Sequence, residues 1–277
     1  MRIVFWNILH GGGSRRTPEI ALSLLEWSAD VIVLCEFRTT LGGQLRGVLA
    51  DHGWEHQVCT DPPEGCNGVM VASRGAIERV ADVGVGVGVG QRLIGVRLVH
   101  GDVTLLAAHV PPLEAQDGEA QAVWKALLEA ARRHAVGATL VIGDLNAGRR
   151  WQDEGGVSGG KRLFKDASAL QRVGTEAMGR LWLVGYRDAW RHANAGGTQA
   201  ELQEVPEGGE VAAGAGKSCA EREFSWFSHE GRGVRIDHVL ASAGLIGRVR
   251  GARYEHGVRE SGVSDHAAIV VEISAGA

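Results

Sequence analysis

The sequence predicts an α/β protein with mixed sheets, on three observations. Short runs rich in β-branched residues alternate with stretches of helical period along the whole chain. Two of those runs, Leu93–Val99 and Val103–Ala108, are joined by a connection at His100-Gly101-Asp102 that is too short for a crossover helix, so they pair as an antiparallel hairpin. Apolar residues make up 44% of the 277 positions and the 41 glycines follow no Gly-X-Y period, so the chain is neither collagenous nor disordered and builds a core.

In chain order, the strands are expected at Arg2–Trp6, Val31–Cys35, Gly68–Ala72, Leu93–Val99, Val103–Ala108, Thr139–Ile142, Val234–Leu240 and Ala268–Ile273. Three helices are legible between them. Thr17, Pro18 and Glu19 supply an N-cap, a proline at the first helical position and a first-turn acid ahead of Ile20, Leu24 and Leu25. Leu41, Leu45, Val48 and Leu49 repeat at helical spacing before a stop at Gly53. The third helix carries Ala120, Val123, Trp124, Leu127, Leu128 and Ala131, and ends on Arg132, Arg133 and His134, which suit a negative C-terminal end. The run from Val83 to Gly90 alternates Val with Gly and reads as a loose connection rather than a strand. Residues 193–223 are rich in Gly and Ala and read as a flexible surface insertion.

Charge and cysteine usage narrow the function classes. A formal net charge of −4 excludes a uniformly basic protein that coats DNA. The insertion holds six acids against Lys217 and Arg222 and accounts for that whole excess, so the remainder of the chain is neutral. Cys35, Cys59, Cys66 and Cys219 form no CxxC pair, and Cys35 lies inside the apolar run VIVLC, which reads as a buried free thiol in a reduced compartment. No run approaches the roughly 20 apolar residues of a membrane span, and MRIVFWNILH is too short for a signal peptide. A cytoplasmic setting is the expectation.

The most informative pattern is the polar residue at the end of each apolar run. RIVFW ends at Asn7, VIVLC at Glu36, VTLLAA at His109 and TLVIG at Asp144, with Asn146 two further on; VRI precedes Asp237, and Asp265-His266 precede AAIVVEI. Singly, each has a structural explanation: GDLN is a plausible Asx turn, Asn7 leads into a glycine turn, and Asp265-His266 precede the last strand. Glu36 is harder to dismiss, because an acid after five apolar residues needs a partner. Together they read as an oxygen-rich site for a hard cation, with two histidines left for proton work. No clustered Cys/His set supports zinc.

The strings FWNILHGG, VLCEF, AAHVPP, VIGDLN, VRIDHVLAS and VSDHAAI, in this order from residue 5 to residue 269, resemble the endonuclease/exonuclease/phosphatase superfamily, with deoxyribonuclease I-like and exonuclease III-like features. The resemblance implies a single domain over residues 1–277, folded as a four-layer α/β sandwich of two mixed β-sheets packed face to face with helices outside. It also implies phosphoester hydrolysis with Mg2+ or Mn2+, and roles follow at matching positions. Asn7, Glu36 and Asp265 hold the metal; Asp144 orients or deprotonates water; Asn146 holds the phosphate or that water; His266, oriented by Asp237, bonds a phosphate oxygen or acts as base; His109 protonates the leaving group. Departures are visible too. His109 stands where the apurinic endonucleases have tyrosine, Val234 stands where they have an aromatic residue before Arg235, and Asn67 replaces a glutamate expected to support the first histidine. Asp188 matches a stretch that is structural in the family, and its neighbours Arg187 and Arg191 suit ion pairing.

Substrate class rests on local charge. Residues 149–172 carry a net +3 directly after GDLN, including Arg149, Arg150 and Lys161, and Arg15 and Arg16 follow the Asn7 turn. Such cations can hold phosphates without reading bases, or simply be solvated. Trp226 is read as a substrate contact, with core packing as its alternative. The expectation is a monomeric phosphodiesterase acting on nucleic acid. A hydrolase for a small or lipid phosphoester is the alternative, and a catalytically idle binding module the reading from another class.

Overall fold

In the computed structural model, which describes residues 1–86, 88–112, 118–147, 170–198, 223–227 and 233–276, period-2 alternation along the strands sorts the core into three slabs. Strand β1 (Arg2–Asn7) leads through α1 (Gly13–Glu26) to β2 (Val31–Phe37). Then come α2 (Gly43–Asp51), β3 (His56–Cys59), β4 (Gly68–Ser73), β5 (Ile77–Arg79), β6 (Leu93–Leu98) and β7 (Val103–His109). Helix α3 (Glu119–His134) returns the chain to β8 (Thr139–Asp144). There follow α4 (Leu170–Leu183), β9 (Arg187–Asp188), α5 (Ala189–Thr198), β10 (Trp226–Phe227), β11 (Gly233–Val234) and β12 (Asp237–Ala241). The chain then runs through α6 (Ala243–Ile246), β13 (Val249–Glu255), α7 (Gly257–Glu260) and β14 (Ala268–Ile273).

Two six-stranded sheets result, ordered β13-β14-β1-β2-β4-β3 and β5-β6-β7-β8-β12-β9. Each is mixed, and each holds one parallel pair at its centre: β1 with β2, and β7 with β8. All other pairings within them are antiparallel. One face of each sheet turns to the other, so Ile3, Phe5, Val33 and Val71 meet Val96, Leu105, Leu140 and Ile142 in the central slab. The alternate residues face outward. Val4, Ile32 and Leu34 pack under Ile20 and Leu24 of α1 and Leu45 and Leu49 of α2, while Leu106 and Val141 pack under Val123, Trp124 and Leu127 of α3. This is the four-layer α/β sandwich the resemblance implied. Truncating one such fully buried aliphatic to Ala costs about 2–5 kcal/mol.

The local expectations fare unevenly. Helix α1 begins at Gly13, not at Thr17; Thr17 lies inside it and bonds the Gly13 carbonyl, and Pro18 is a helical interior residue on the exposed side. Three successive positive-φ glycines, Gly11 to Gly13, make the turn that lets the helix start early. Leu41 precedes α2 and is exposed. The expected strand Val234–Leu240 is two strands, broken at Arg235-Ile236, because the backbone N–H groups of Ile236 and Asp237 both donate to Ser225 Oγ instead of to a ladder. Strands β3, β5, β9, β10 and β13 and helices α4 to α7 have no counterpart among the elements expected from the sequence. Helix α5 carries the chain to Thr198, so the expected insertion at 193–223 starts as helix; residues 199–222 lie outside the described residues. The described residues of the Val-Gly run, 83–86 and 88–90, form a connection, as expected, with Val83 and Val89 buried. Cys35 is a buried free thiol. Among the described residues no helix is long and apolar enough to cross a membrane.

Candidate active site

A β-α-β crossover must return the chain in the same direction, so the carboxyl ends of its two strands lie side by side. Both sheets contain one. In the first sheet Asn7 pairs with Cys35, the residue before Glu36; in the second, His109 pairs with Asp144. Two antiparallel strands then arrive from the opposite direction and start at this end. Asp237 opens β12 opposite Asp144, and His266 lies two residues before β14, the neighbour of β1. The four carboxyl ends and two strand starts are one place.

Side-chain contacts join the two sheets there. Asn7 Nδ2 donates to Glu36 Oε1 at 3.1 Å and to Asp144 Oδ2 at 3.0 Å. Glu36 reaches the site because β2 bulges between Cys35 and Phe37, with Glu36 in the left-handed region at φ 56°, an uncommon conformation for an acid. Its other oxygen, Oε2, accepts the His10 backbone N–H at 2.8 Å and lies 2.7 Å from His10 Nδ1. Asp144 Oδ1 accepts the Asn146 N–H at 3.1 Å, and Asn146, at φ 44°, donates its side-chain amide to the Val110 carbonyl at 2.8 Å. GDLN is therefore an Asx turn as well as a site segment. Gly143 is required beside it, because a Cβ there would run into the Ala108 carbonyl oxygen of β7.

His266 is held through Nδ1 by Asp237 Oδ2 at 2.8 Å, while its Nε2 lies 4.0 Å from Asp144 Oδ2 and 3.9 Å from Asp265 Oδ1. Ser225 Oγ fixes the backbone of Asp237, Tyr254 donates to the Asp237 carbonyl at 2.7 Å, and Ser264 Oγ ties the Asn7 carbonyl at 2.6 Å. His109 makes a different contact. Its Nδ1 lies 3.0 Å from Nη1 of Arg92, whose Nε donates to Glu119 at 2.9 Å.

The electrostatics follow from burial among unequal neighbours. Burial and then the Asp237 charge push the Asp144 carboxyl well above its ordinary value. Burial alone would lower His266, but the Asp237 carboxylate beside it, with Asp144 and Asp265, raises it to about 10. His109 goes the other way: burial, and then the positive charge of Arg92, push it down to about 3.

The donor set fits a hard divalent cation. One ligand atom each from Asp144, Asp237 and His266 lies within 4.8 Å of the others, and Asp237 Oδ1 is buried without a hydrogen-bond partner among the described residues. A cation beside it would satisfy that oxygen and favour the ionised form of Asp144. Glu36 and Asn7 stand directly behind this group, whereas Asp265 is half exposed and accepts Trp226 Nε1 at 3.1 Å.

The expected substrate contacts are brought together only in part. Trp226 lies beside the site and is not fully buried, so it is not a core residue. Arg15 is exposed on α1. Arg16 donates to the carbonyls of Leu9 and Val263 and ties the glycine turn to the loop before Asp265. Arg149, Arg150 and Lys161 lie outside the described residues. Asp188 is the expected ion-pair residue, though its main partner is Arg235, at 2.7 Å, which holds its carboxyl well below the usual range despite burial. Sequence reasoning missed Arg92, His10, Ser225 and Ser264. For Arg92 a signal existed, since the hairpin turning at His100 to Asp102 sets Leu93 against Ala108 and hence Arg92 against His109.

Comparison with known proteins adds to this geometry. No protein of curated function matches the chain by sequence. Among solved structures, it is similar to the 3′ phosphatase NExo from Neisseria bound to a product DNA hairpin, with 21% identity, 99% of each chain covered and a TM-score of 0.69. The 3′-5′ exonuclease NExo from Neisseria meningitidis matches equally well, at 21% identity, 99% and 100% coverage and a TM-score of 0.69. An AP endonuclease from Archaeoglobus fulgidus matches at 16% identity, 99% of each chain and a TM-score of 0.73. At these identities the likeness is one of fold. The model of the endonuclease/exonuclease/phosphatase family matches residues 4–266, nearly the whole chain and every strand end described above, and the chain belongs to that family.

Proposed function

We propose that the protein is a divalent-metal-dependent phosphodiesterase that cleaves nucleic acid. The observation that carries the reading is the convergence of Asn7, Glu36, His109, Asp144, Asp237 and His266 at the shared end of both sheets, with a buried carboxylate oxygen of Asp237 left unpartnered among the described residues. Asp144 and Asp237 would hold Mg2+ or Mn2+, with Glu36 joined to Asp144 through Asn7 and Asp265 at the rim. Such an ion supplies positive charge where a phosphoester gathers negative charge in the transition state.

The chain's own residues do the rest. Asp144 is fixed at both oxygens, by Asn7 and by the Asn146 backbone, and is the carboxylate placed to take a proton from an attacking water. As the water oxygen bonds phosphorus, the ester P–O bond breaks and the departing oxygen takes up a proton from solvent. His266, kept cationic by Asp237, donates Nε2–H to a nonbridging phosphate oxygen. Asn146, with its side chain tied to Val110, shapes the turn that carries Asp144.

Nucleic acid is favoured over a small phosphoester by the net +3 of residues 149–172, which follow Asp144 in the chain, and by the DNA hairpin in the similar Neisseria structure. The test is a panel of supercoiled plasmid, single- and double-stranded oligonucleotides, and 3′-phosphate and abasic-site duplexes, with Mg2+, Mn2+ or chelator, beside a phospholipid and a sugar phosphate. Metal-dependent cleavage of a polynucleotide is the expected result. Turnover of only the small phosphoesters overturns the nucleic-acid reading, and no turnover of any substrate overturns the hydrolase reading.

A further inference from the structure

His109 sits at the carboxyl end of β7 directly beside Asp144, yet among the described residues neither of its ring nitrogens touches a carboxylate in the way His266 does. What meets its Nδ1 is the Arg92 guanidinium, at 3.0 Å. A guanidinium has five N–H donors and no acceptor, and it stays charged at any working pH. The short contact is therefore a hydrogen bond only if Nδ1 carries its lone pair, which leaves the ring proton on Nε2. Protonating the ring would set an N–H against an N–H and a cation against a cation.

Arg92 is itself held in place. Its backbone carbonyl accepts the His109 N–H at 2.8 Å, and its Nε donates to Glu119 Oε1 at 2.9 Å. Gln91 donates to the same oxygen at 3.1 Å. Glu119 opens α3, where the helix dipole favours an acid. Arg92 and Glu119 are both largely shielded from solvent, and His109 is almost wholly buried.

We propose that Arg92, braced by Glu119, is a positioning residue that locks His109 as the neutral Nε2–H tautomer, so that His109 serves the reaction as a fixed hydrogen-bond donor to a phosphate oxygen and not as an acid. This deepens the phosphodiesterase reading and rests on it for the identity of the acceptor. His109 then neither gains nor loses a proton during turnover. It complements His266, which supplies a charged donor from the other sheet.

The deciding measurement is two-bond 1H–15N NMR of the metal-free protein labelled with 15N-histidine, at pH 7, with His109 assigned through His109→Asn. An unprotonated Nδ1 and protonated Nε2 are expected in the wild type. An Nδ1–H tautomer or an imidazolium there overturns the proposal without any variant. Arg92→Met, checked for folding by its amide spectrum, should turn the His109 signals into a tautomer average and lower kcat roughly ten- to hundredfold with KM little changed. Arg92→Lys, which keeps a charged donor, should recover part of both. Glu119→Gln should loosen the lock in the same direction. A folded Arg92→Met protein with the wild-type His109 spectrum overturns the lock. A locked spectrum in a protein that hydrolyses no phosphoester supports the lock and overturns the functional reading, so the two fail separately.

Discussion

Two imidazoles share one site and are driven to opposite states. His266 meets an acid at Nδ1, and His109 meets a base already protonated, Arg92. Both rings are nearly inaccessible, so burial disfavours charge in each; the partner decides the outcome. Around His266 the carboxylates of Asp237, Asp144 and Asp265 outweigh burial. Around His109 the charges of Arg92 and His266 add to burial, and the more weakly felt Asp237 and Glu119 do not reverse it. Burial acts alike on both rings, and the sign of the charged group that meets Nδ1 separates them: a carboxylate for His266, a guanidinium for His109.

The comparison can be broken most severely at the carboxylate both sheets share. Asp144→Ala should lower kcat by about a thousandfold or more, consistent with loss of a general base, and steady-state assays on the best substrate check it. Because its pKa is raised, the Asp144 carboxyl opposes folding above the unfolded carboxylate range and ceases to do so on acidification. Asp144→Asn in chelator should therefore be inactive yet raise Tm at neutral pH, and lose that advantage as the pH falls towards 4. An unchanged or lower Tm at neutral pH contradicts the burial account.

Asp237→Asn attacks one ring and spares the other. It should lower kcat about a hundred- to thousandfold and destabilise the fold by about 3–5 kcal/mol near pH 7 by stranding a buried partner. His266 is raised from 6.5 to about 10, so its stabilisation is complete below the unfolded value and lost as pH rises through about 10. The difference in stability between wild type and Asp237→Asn should therefore shrink at strongly alkaline pH, read by denaturant titration. In metal-free wild type, NMR should find His266 cationic at pH 8 and His109 neutral at pH 5; two similar titrations would erase the contrast.

The mildest change is at the rim. Trp226→Phe keeps a ring but removes the indole donor to Asp265. Metal activation should weaken roughly tenfold, as for loss of a supporting contact, and metal titration of activity checks this. Equal curves would show that Asp265 orientation does not depend on Trp226.

The polar ends of apolar runs were legible because chain order and strand period locate Asn7, Glu36, His109 and Asp144 without any long-range knowledge. Helix α3 was legible for the same reason, as its buried residues repeat locally at helical spacing. Strands β3 and β5 are not legible because they are short edge strands without a fully buried residue and with little apolar alternation. The break before β12 escaped notice because its cause, the Ser225 hydroxyl, is ten or more residues away in the chain. The start of α1 was misplaced because Thr17-Pro18 resembles a cap, while the glycine turn before it permits an earlier first turn.

Sequence alone determined the family, the layered fold and the residues at the strand ends, since each is written in local period and motif order. Only the tertiary structure decided how those residues differ in charge and role. Hydrogen-bond partners across a hairpin or between sheets are set by register and bulges, and a buried group takes its protonation state from the partner it meets there: Arg92 for His109, Asp237 for His266.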